Sequence, residues 1–381
     1  MNSKEEKISR FNPNDPAGGS QLYGLPFTQE ESDIVVVPVP WEVTVSYHAG
    51  TARAPKAILE ASKQVDLFDA DVPGAWKRGI FLQRSDKKIL RRGEELRKKA
   101  VKYLDGFSSE EGAKKMEKSR DEINEGGQWL KNRLKKEFLS LLSAGKLPVL
   151  LGGDHSTPLG FIEALAEVHP DFGILQVDAH CDLRNAYEGL EYSHASIMFN
   201  ALKIQQVSRL VQVGIRDWCD EEMQVIQSQP DRVKVFFDAA NRRRNYEGVH
   251  WKTICDDIVD ALPSKVYVSF DIDGLDPKLC PNTGTPVPGG LEFEQAVFLL
   301  RNVVSSGRTL IGCDLNEVAP GLTDWDANVA ARLLYKMCNL MAKSNPSAKE
   351  YGNQRNDEVV LLSAGRESEE KEGWEEKEEG D

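Results

Sequence analysis

The stretch at 173–182 reads Gly-Ile-Leu-Gln-Val-Asp-Ala-His-Cys-Asp. Its apolar start predicts a buried strand, and its end carries Asp178, His180 and Asp182. Side chains two apart on a strand share a face, so extended geometry projects two carboxylates and an imidazole the same way. Two further clusters follow apolar runs. His155 ends Gly152-Gly153-Asp154-His155 after the run at 147–151, and Asp271 and Asp273, again two apart, follow the run at 265–270. Buried carboxylates without a cation are very costly, and metal ions remove that cost. Six such groups are too many for one tetrahedral zinc. They suit two divalent ions bridged by carboxylate, with the oxygen donors favouring manganese and the imidazoles also suiting nickel or zinc. Such a pair can activate a water for attack on an electrophilic carbon. Phosphate chemistry has no support, because no Gly-x-x-x-x-Gly-Lys-Ser/Thr and no Gly-x-Gly-x-x-Gly after a strand is present.

Two other groups could join that chemistry. His194, in Tyr192-Ser193-His194-Ala195-Ser196, can pass a proton to a leaving amine. Glu317, in Asp314-Leu315-Asn316-Glu317-Val318-Ala319-Pro320, can pair with a planar cation through two parallel hydrogen bonds. The plain alternatives are a solvated loop histidine and an exposed glutamate. His48, His169 and His250 lack a partner pattern and read as surface or structural. Cys181 falls on the opposite strand face and reads as packed. Arg242-Arg243-Arg244 reads as a solvated cluster or an oligomer contact.

Strands are expected at 33–40, 147–151, 173–178, 210–213, 233–237, 265–270 and 309–315. The prolines in the first make it an edge or terminal strand. Leu130, Leu134, Phe138 and Leu141 recur at helical spacing, and Gly145 ends that helix. Further helices fit at 158–167, 220–228, 251–260, 292–305 and 325–342, and Pro55 opens another. Strands alternating with helices imply a parallel sheet covered on both faces, with ligands beyond the carboxyl ends of its strands. The expected organisation is an N-terminal arm over 1–32, one catalytic domain over 33–366 and an acidic disordered tail over 367–381. A charged helical insertion lies around 72–126.

The chain has 381 residues, 40% of them hydrophobic, and a net charge of −13. That balance argues against a nucleic-acid or anionic-membrane partner. No apolar run is long enough to span a membrane, and the polar N-terminus has no signal-peptide core, so the cytoplasm is expected. The six cysteines are scattered without Cys-x-x-Cys pairs and read as isolated thiols.

Gly152-Gly153-Asp154-His155-Ser156, Asp178-Ala179-His180-Cys181-Asp182 and Ser269-Phe270-Asp271-Ile272-Asp273-Gly274-Leu275-Asp276-Pro277 together resemble the ureohydrolase superfamily of arginases and agmatinases. Thr283-Gly284-Thr285-Pro286-Val287-Pro288-Gly289-Gly290 is similar to the loop that follows in agmatinases. The resemblance covers about residues 33–345. It implies a three-layer α/β/α fold around a mainly parallel eight-stranded sheet, assembled as a trimer or hexamer. It implies His155, Asp178, His180, Asp182, Asp271 and Asp273 as ligands of two Mn2+ or Ni2+ ions. His194 would be the proton shuttle, Glu317 the guanidinium partner, Asp182 a proton acceptor, and Thr285 a residue near the substrate. The segment at 41–47 and the 279–285 loop look like an agmatinase-like branch that includes guanidine hydrolases. Arg184 stands where arginases place a small polar residue that contacts the amino-acid end of their substrate. A cation there disfavours L-arginine and sits poorly beside the amine of agmatine. The expected reaction is therefore hydrolysis of free guanidine to urea and ammonia, with agmatinase or guanidinobutyrase activity as the alternatives. Two other classes stay open: a single-zinc deacetylase-like enzyme, and a metal-bound sensor or scaffold without catalysis.

Overall fold

The computed structural model describes residues 3–107 and 117–346, so the tail expected at 367–381 lies outside the described residues. The described residues up to Ser344 form one compact unit. Its strands are β1 (Ile34–Pro38), β2 (Ile80–Leu82), β3 (Leu147–Leu151), β4 (Phe172–Val177), β5 (Val207–Val213), β6 (Val233–Phe236), β7 (Lys265–Asp271) and β8 (Thr309–Asn316). They build a single eight-stranded sheet in the order β2-β1-β3-β8-β7-β4-β5-β6. Every pairing is parallel.

The first strand is not at the edge. β1 pairs with β3 on one side and with β2 on the other. Pro38 is its last residue and Pro40 lies past its end, so neither proline breaks the middle of a ladder. The true edge, β2, is an Ile-Phe-Leu triplet inside the segment read as a helical insertion, where Gln83 N–H extends the ladder to the Val36 carbonyl. Pro148 sits in an interior strand at no cost to β8, because that pairing begins only at Val149.

Alternate strand residues feed two helical layers, which is why these strands read as unbroken apolar runs rather than alternating ones. Ile34, Val36, Val149 and Val268 pack with α2 (Ala54–Ala61), α9 (Trp251–Asp260), α10 (Phe293–Ser305) and α11 (Trp325–Ser344). Val35, Val37, Leu150 and Ile174 pack with α3 (Lys87–Phe107), α4 (Glu117–Ser143), α5 (Leu159–Val168) and α6 (Ile197–Ala201). The short helices α7 (Asp220–Ser228) and α8 (Asp238–Tyr246) follow β5 and β6. The arginine cluster lies on α8, where Arg242 bonds Asp238 and Arg244 pairs with Asp257.

The N-terminal segment opens with α1 (Lys4–Arg10). Leu22, Tyr23, Leu25 and Phe27 are buried in the first of these layers, and the Tyr23 hydroxyl donates to the Ala331 carbonyl at 3.0 Å. Five cysteines are buried thiols and Cys219 is half-buried.

Candidate metal centre

β3, β8, β7 and β4 are consecutive in the sheet. Parallel strands release their chains at one rim, so the segments after them converge there. The His155 Nδ1 lies 3.0 Å from Asp178 Oδ2, 3.0 Å from Asp182 Oδ2 and 3.4 Å from Asp271 Oδ2. The His180 Nδ1 lies 3.1 Å from Asp273 Oδ2 and 3.6 Å from Asp178 Oδ1. Three separated sequence clusters are thus one group of side chains.

The route to that convergence is not the extended one. β4 stops at Val177. His180 forms a single bridge to Asp217, and Asp182 takes a left-handed backbone with φ 55°. The Asp182 carbonyl accepts the Met198 and Phe199 N–H groups, and the Leu183 N–H donates to Glu222. The bend turns Asp178, His180 and Asp182 toward His155, while Cys181 is fully buried.

The cluster holds more anionic oxygen than its own protons balance comfortably. Burial and the charges of Asp273 and Asp178 push the Asp271 carboxyl well above its usual range. Burial and Asp178 raise Asp182 to about 7. Burial opposes ionisation of Asp178 too, but the imidazoles of His155 and His180 beside it hold that carboxyl low. The His155 Nδ1 is buried and makes no hydrogen bond of acceptable geometry. A buried imidazole nitrogen surrounded by carboxylate oxygens is the arrangement a cation completes. His155, Asp178 and Asp271 form one group, and Asp178, His180 and Asp273 a second, the ligand atoms of each lying within 4.8 Å of one another. Sharing of Asp178 between two adjacent groups fits two divalent cations better than one.

A second ring of side chains holds these donors in place. His155 Nε2 is 2.9 Å from the Ser269 hydroxyl, which donates to Asp314 Oδ1 at 3.2 Å. Gln176 donates to Asp178 Oδ2 at 2.8 Å and is itself held by Gln212 at 2.5 Å. Ala179 N–H donates to Asp273 Oδ1 at 3.0 Å, and Asp273 N–H to Asp271 Oδ1 at 2.9 Å.

His155, His180, Asp182 and Asp271 of the cluster line a cavity of about 200 Å³. Glu317 stands on its wall with φ 60°, its Oε1 accepting the His155 N–H at 2.8 Å. Burial and the charge of Asp154 push its carboxyl well up. Gly284 keeps that wall low, since a Cβ there would lie 3.3 Å from Glu317 Oε2. His194 lines the same cavity, half-buried, with Nδ1 3.3 Å from the Thr44 hydroxyl. Burial, then the charges of His180 and His155, lower its pKa to about 3. Thr285 and Arg184 also line the cavity, and the Arg184 guanidinium rests 5.1 Å over the Tyr187 ring. Ser46, Tyr187, Asp217, Trp218 and Glu222 also line it and were not anticipated, and Ala195 completes the wall. Asp217 and Trp218 follow the end of β5, so the strand-end rule that found the ligands would have found them too.

A model of the arginase family matches residues 32–339. The N(1)-aminopropylagmatine ureohydrolase of Thermus thermophilus is 32% identical over 311 residues, which is 82% of this chain and 91% of that protein. The agmatinase of Bacillus anthracis is 29% identical, over 76% of this chain and 85% of that one. Among solved structures, the agmatine ureohydrolase of Thermoplasma volcanium superposes with a TM-score of 0.66 over 91% of this chain and 99% of its own, at 22% identity. The arginase of Medicago truncatula superposes with a TM-score of 0.62 over 82% and 88%, at 24% identity. These two structures carry the likeness of fold.

Proposed function

Since the chain belongs to the arginase family, hydrolases acting on amidino carbon–nitrogen bonds, we propose that it is a two-metal ureohydrolase of a small guanidino compound, and that the compound is free guanidine. The observation that carries the reading is the shared cavity: the metal-ligand candidates His155, His180, Asp182 and Asp271 on its lining, with Asp178 and Asp273 beside them, and Glu317 and His194 on the same wall. Arg184 lines the same space, which favours a substrate without a cationic tail.

His155, Asp178, His180, Asp182, Asp271 and Asp273 would hold two divalent ions, manganese or nickel. When bound, such ions supply a water of lowered pKa and positive charge beside the reacting carbon. Glu317 pairs with the planar guanidinium through two parallel N–H···O bonds and holds its carbon over the floor. Asp182 accepts the proton shed by the attacking water. His194, kept neutral by its surroundings, relays a proton to the departing ammonia without trapping it. Thr285 borders the substrate. Residues 33–366 make up the catalytic domain. The protein acts in the cytoplasm as a trimer or hexamer, which light scattering measures.

Urea release tests the reading on a panel of free guanidine, agmatine, N(1)-aminopropylagmatine, guanidinobutyrate, arginine and formimidoylglutamate. The highest kcat/KM on free guanidine supports it. Urea from agmatine or its aminopropyl derivative alone supports a second reading. Asp217 favours that one: it is an exposed carboxylate on the cavity wall without an ion pair among the described residues, placed to meet a second cationic group. No urea from any compound would leave a metal-bound sensor.

A further inference from the structure

The segment around 72–126 has no assigned purpose in the chemistry above, yet its helices reach the two loops that wall the cavity. The first loop carries Thr44 and Ser46. Arg97 of α3 donates from one nitrogen to the carbonyls of Val43, at 3.2 Å, and Val45, thereby bracketing Thr44. Thr44 is buried and its hydroxyl meets His194 twice, accepting the backbone N–H at 3.1 Å and facing Nδ1 at 3.3 Å.

The second loop carries Arg184, Tyr187 and His194. It contains a tight turn in which Leu190 N–H bonds the Tyr187 carbonyl at 2.9 Å, with Glu188 at φ 52° and Gly189 at φ 80°. Two successive left-handed residues define a turn that glycine accepts freely and glutamate does not. The carbonyls of both central residues are taken by the helices. Tyr103 of α3, itself buried, donates to Glu188 O at 2.7 Å, and Asn124 of α4 donates to Gly189 O at 3.2 Å. Asn124 then accepts the Glu191 N–H at 2.9 Å. Beyond the turn, Gly127 of α4 lets Tyr192 lie against the helix, since a Cβ there would stand 2.4 Å from the Tyr192 Cβ.

We infer that the α3–α4 pair positions His194, gripping the turn before it through Tyr103 and Asn124 and its partner Thr44 through Arg97. These are positioning residues, since none lines the cavity. The inference rests on His194 acting as the proton relay. Geometry explains why the grip matters: displacement of a reacting group by about 1 Å can cost on the order of a hundredfold in rate.

The test uses the full-length, metal-loaded enzyme and three variants, Tyr103→Phe, Asn124→Ala and Arg97→Met, with His194→Ala as the reference. Turnover, metal per chain and backbone hydrogen exchange are measured on each. Expected are a kcat lower by about tenfold in each variant, unchanged metal per chain, and faster exchange at 184–194 for Tyr103→Phe and Asn124→Ala or at 43–46 for Arg97→Met. Tyr103→Phe keeps the ring in its core and removes one hydrogen bond, so it reports even where the others fold poorly. A wild-type kcat in all three, or a lower kcat with unchanged exchange in those loops, overturns the inference. Full turnover by His194→Ala overturns the relay reading itself, whatever the three variants do.

Discussion

His155 Nε2 and the Ser269 hydroxyl lie 2.9 Å apart, with Ser269 handing its own proton to Asp314. The relay engages Nε2 and leaves Nδ1 as the nitrogen facing Asp178, Asp182 and Asp271, the one a metal ion would take. Ser269→Ala removes it without adding bulk. Metal affinity should fall by roughly 10–100-fold, as read by competition with a chromogenic chelator. Saturating metal should restore most turnover. An unchanged affinity would mean that the ring is oriented by packing alone.

Glu317 uses one oxygen on the His155 N–H. Glu317→Gln keeps its shape and removes its charge. Losing a charge-assisted pair with a guanidinium costs about 1.5–3 kcal/mol, or roughly 10–100-fold in KM. Metal per chain should stay at the wild-type value. Steady-state kinetics with metal analysis separates the two, and an unaltered KM would strip Glu317 of its role.

Chelation should abolish urea release, and added Mn2+ or Ni2+ should restore it. Stability should follow. Ions that bind the folded chain alone stabilise it by about 2.7 kcal/mol at a hundredfold excess over Kd. Relief of the raised Asp271 and Asp182 carboxyls is the physical source of that gain. Scanning calorimetry with and without metal reads it as an upward shift in Tm; coincident curves would argue against a site built for cations.

Asp69 tests acid stability away from the cluster. Burial works against its charge, but bonds from Lys336 at 2.6 Å and Asn339 at 2.8 Å outweigh burial and lower its pKa. A carboxyl lowered on folding contributes above its unfolded pKa, near 3.9, and that contribution fades as pH falls through the folded value. Asp69→Asn should therefore cost about 2 kcal/mol at neutral pH, with the gap to wild type closing as pH falls below the unfolded pKa and through the lowered folded one. Urea unfolding across pH measures it. A gap that stayed constant would show a steric rather than an electrostatic cause.

How far these features could be read without coordinates depended on their size and on where their partners lay in the chain. Most of the seven expected strands announced themselves because both faces are buried, as Val35 and Val36 of β1 illustrate. β2 did not, since three apolar residues among charges carry no period. Prolines suggested an edge for β1 because sequence cannot say on which side of a strand's end a proline falls. The six ligand candidates were legible from spacing, although the expected alternation ends at Val177 and a left-handed Asp182 finishes the job. Gln176 and Ser269, each two residues before a ligand, were within reach of the same rule. Thr44 and Asn124 were not, since their partners lie 150 and 65–67 residues away.

The sheet order has a kinetic consequence. β3 meets β8 across 164 positions of sequence, from Val149 to Cys313, and the ligands hang from β3, β7 and β4 around that junction. Pairings so remote in sequence close late, after local helices and hairpin-range contacts have formed. The cation site therefore comes into being with the last step of folding. Added metal would then act as a lock rather than a template: it slows escape from the native state and leaves the rate of reaching it unchanged.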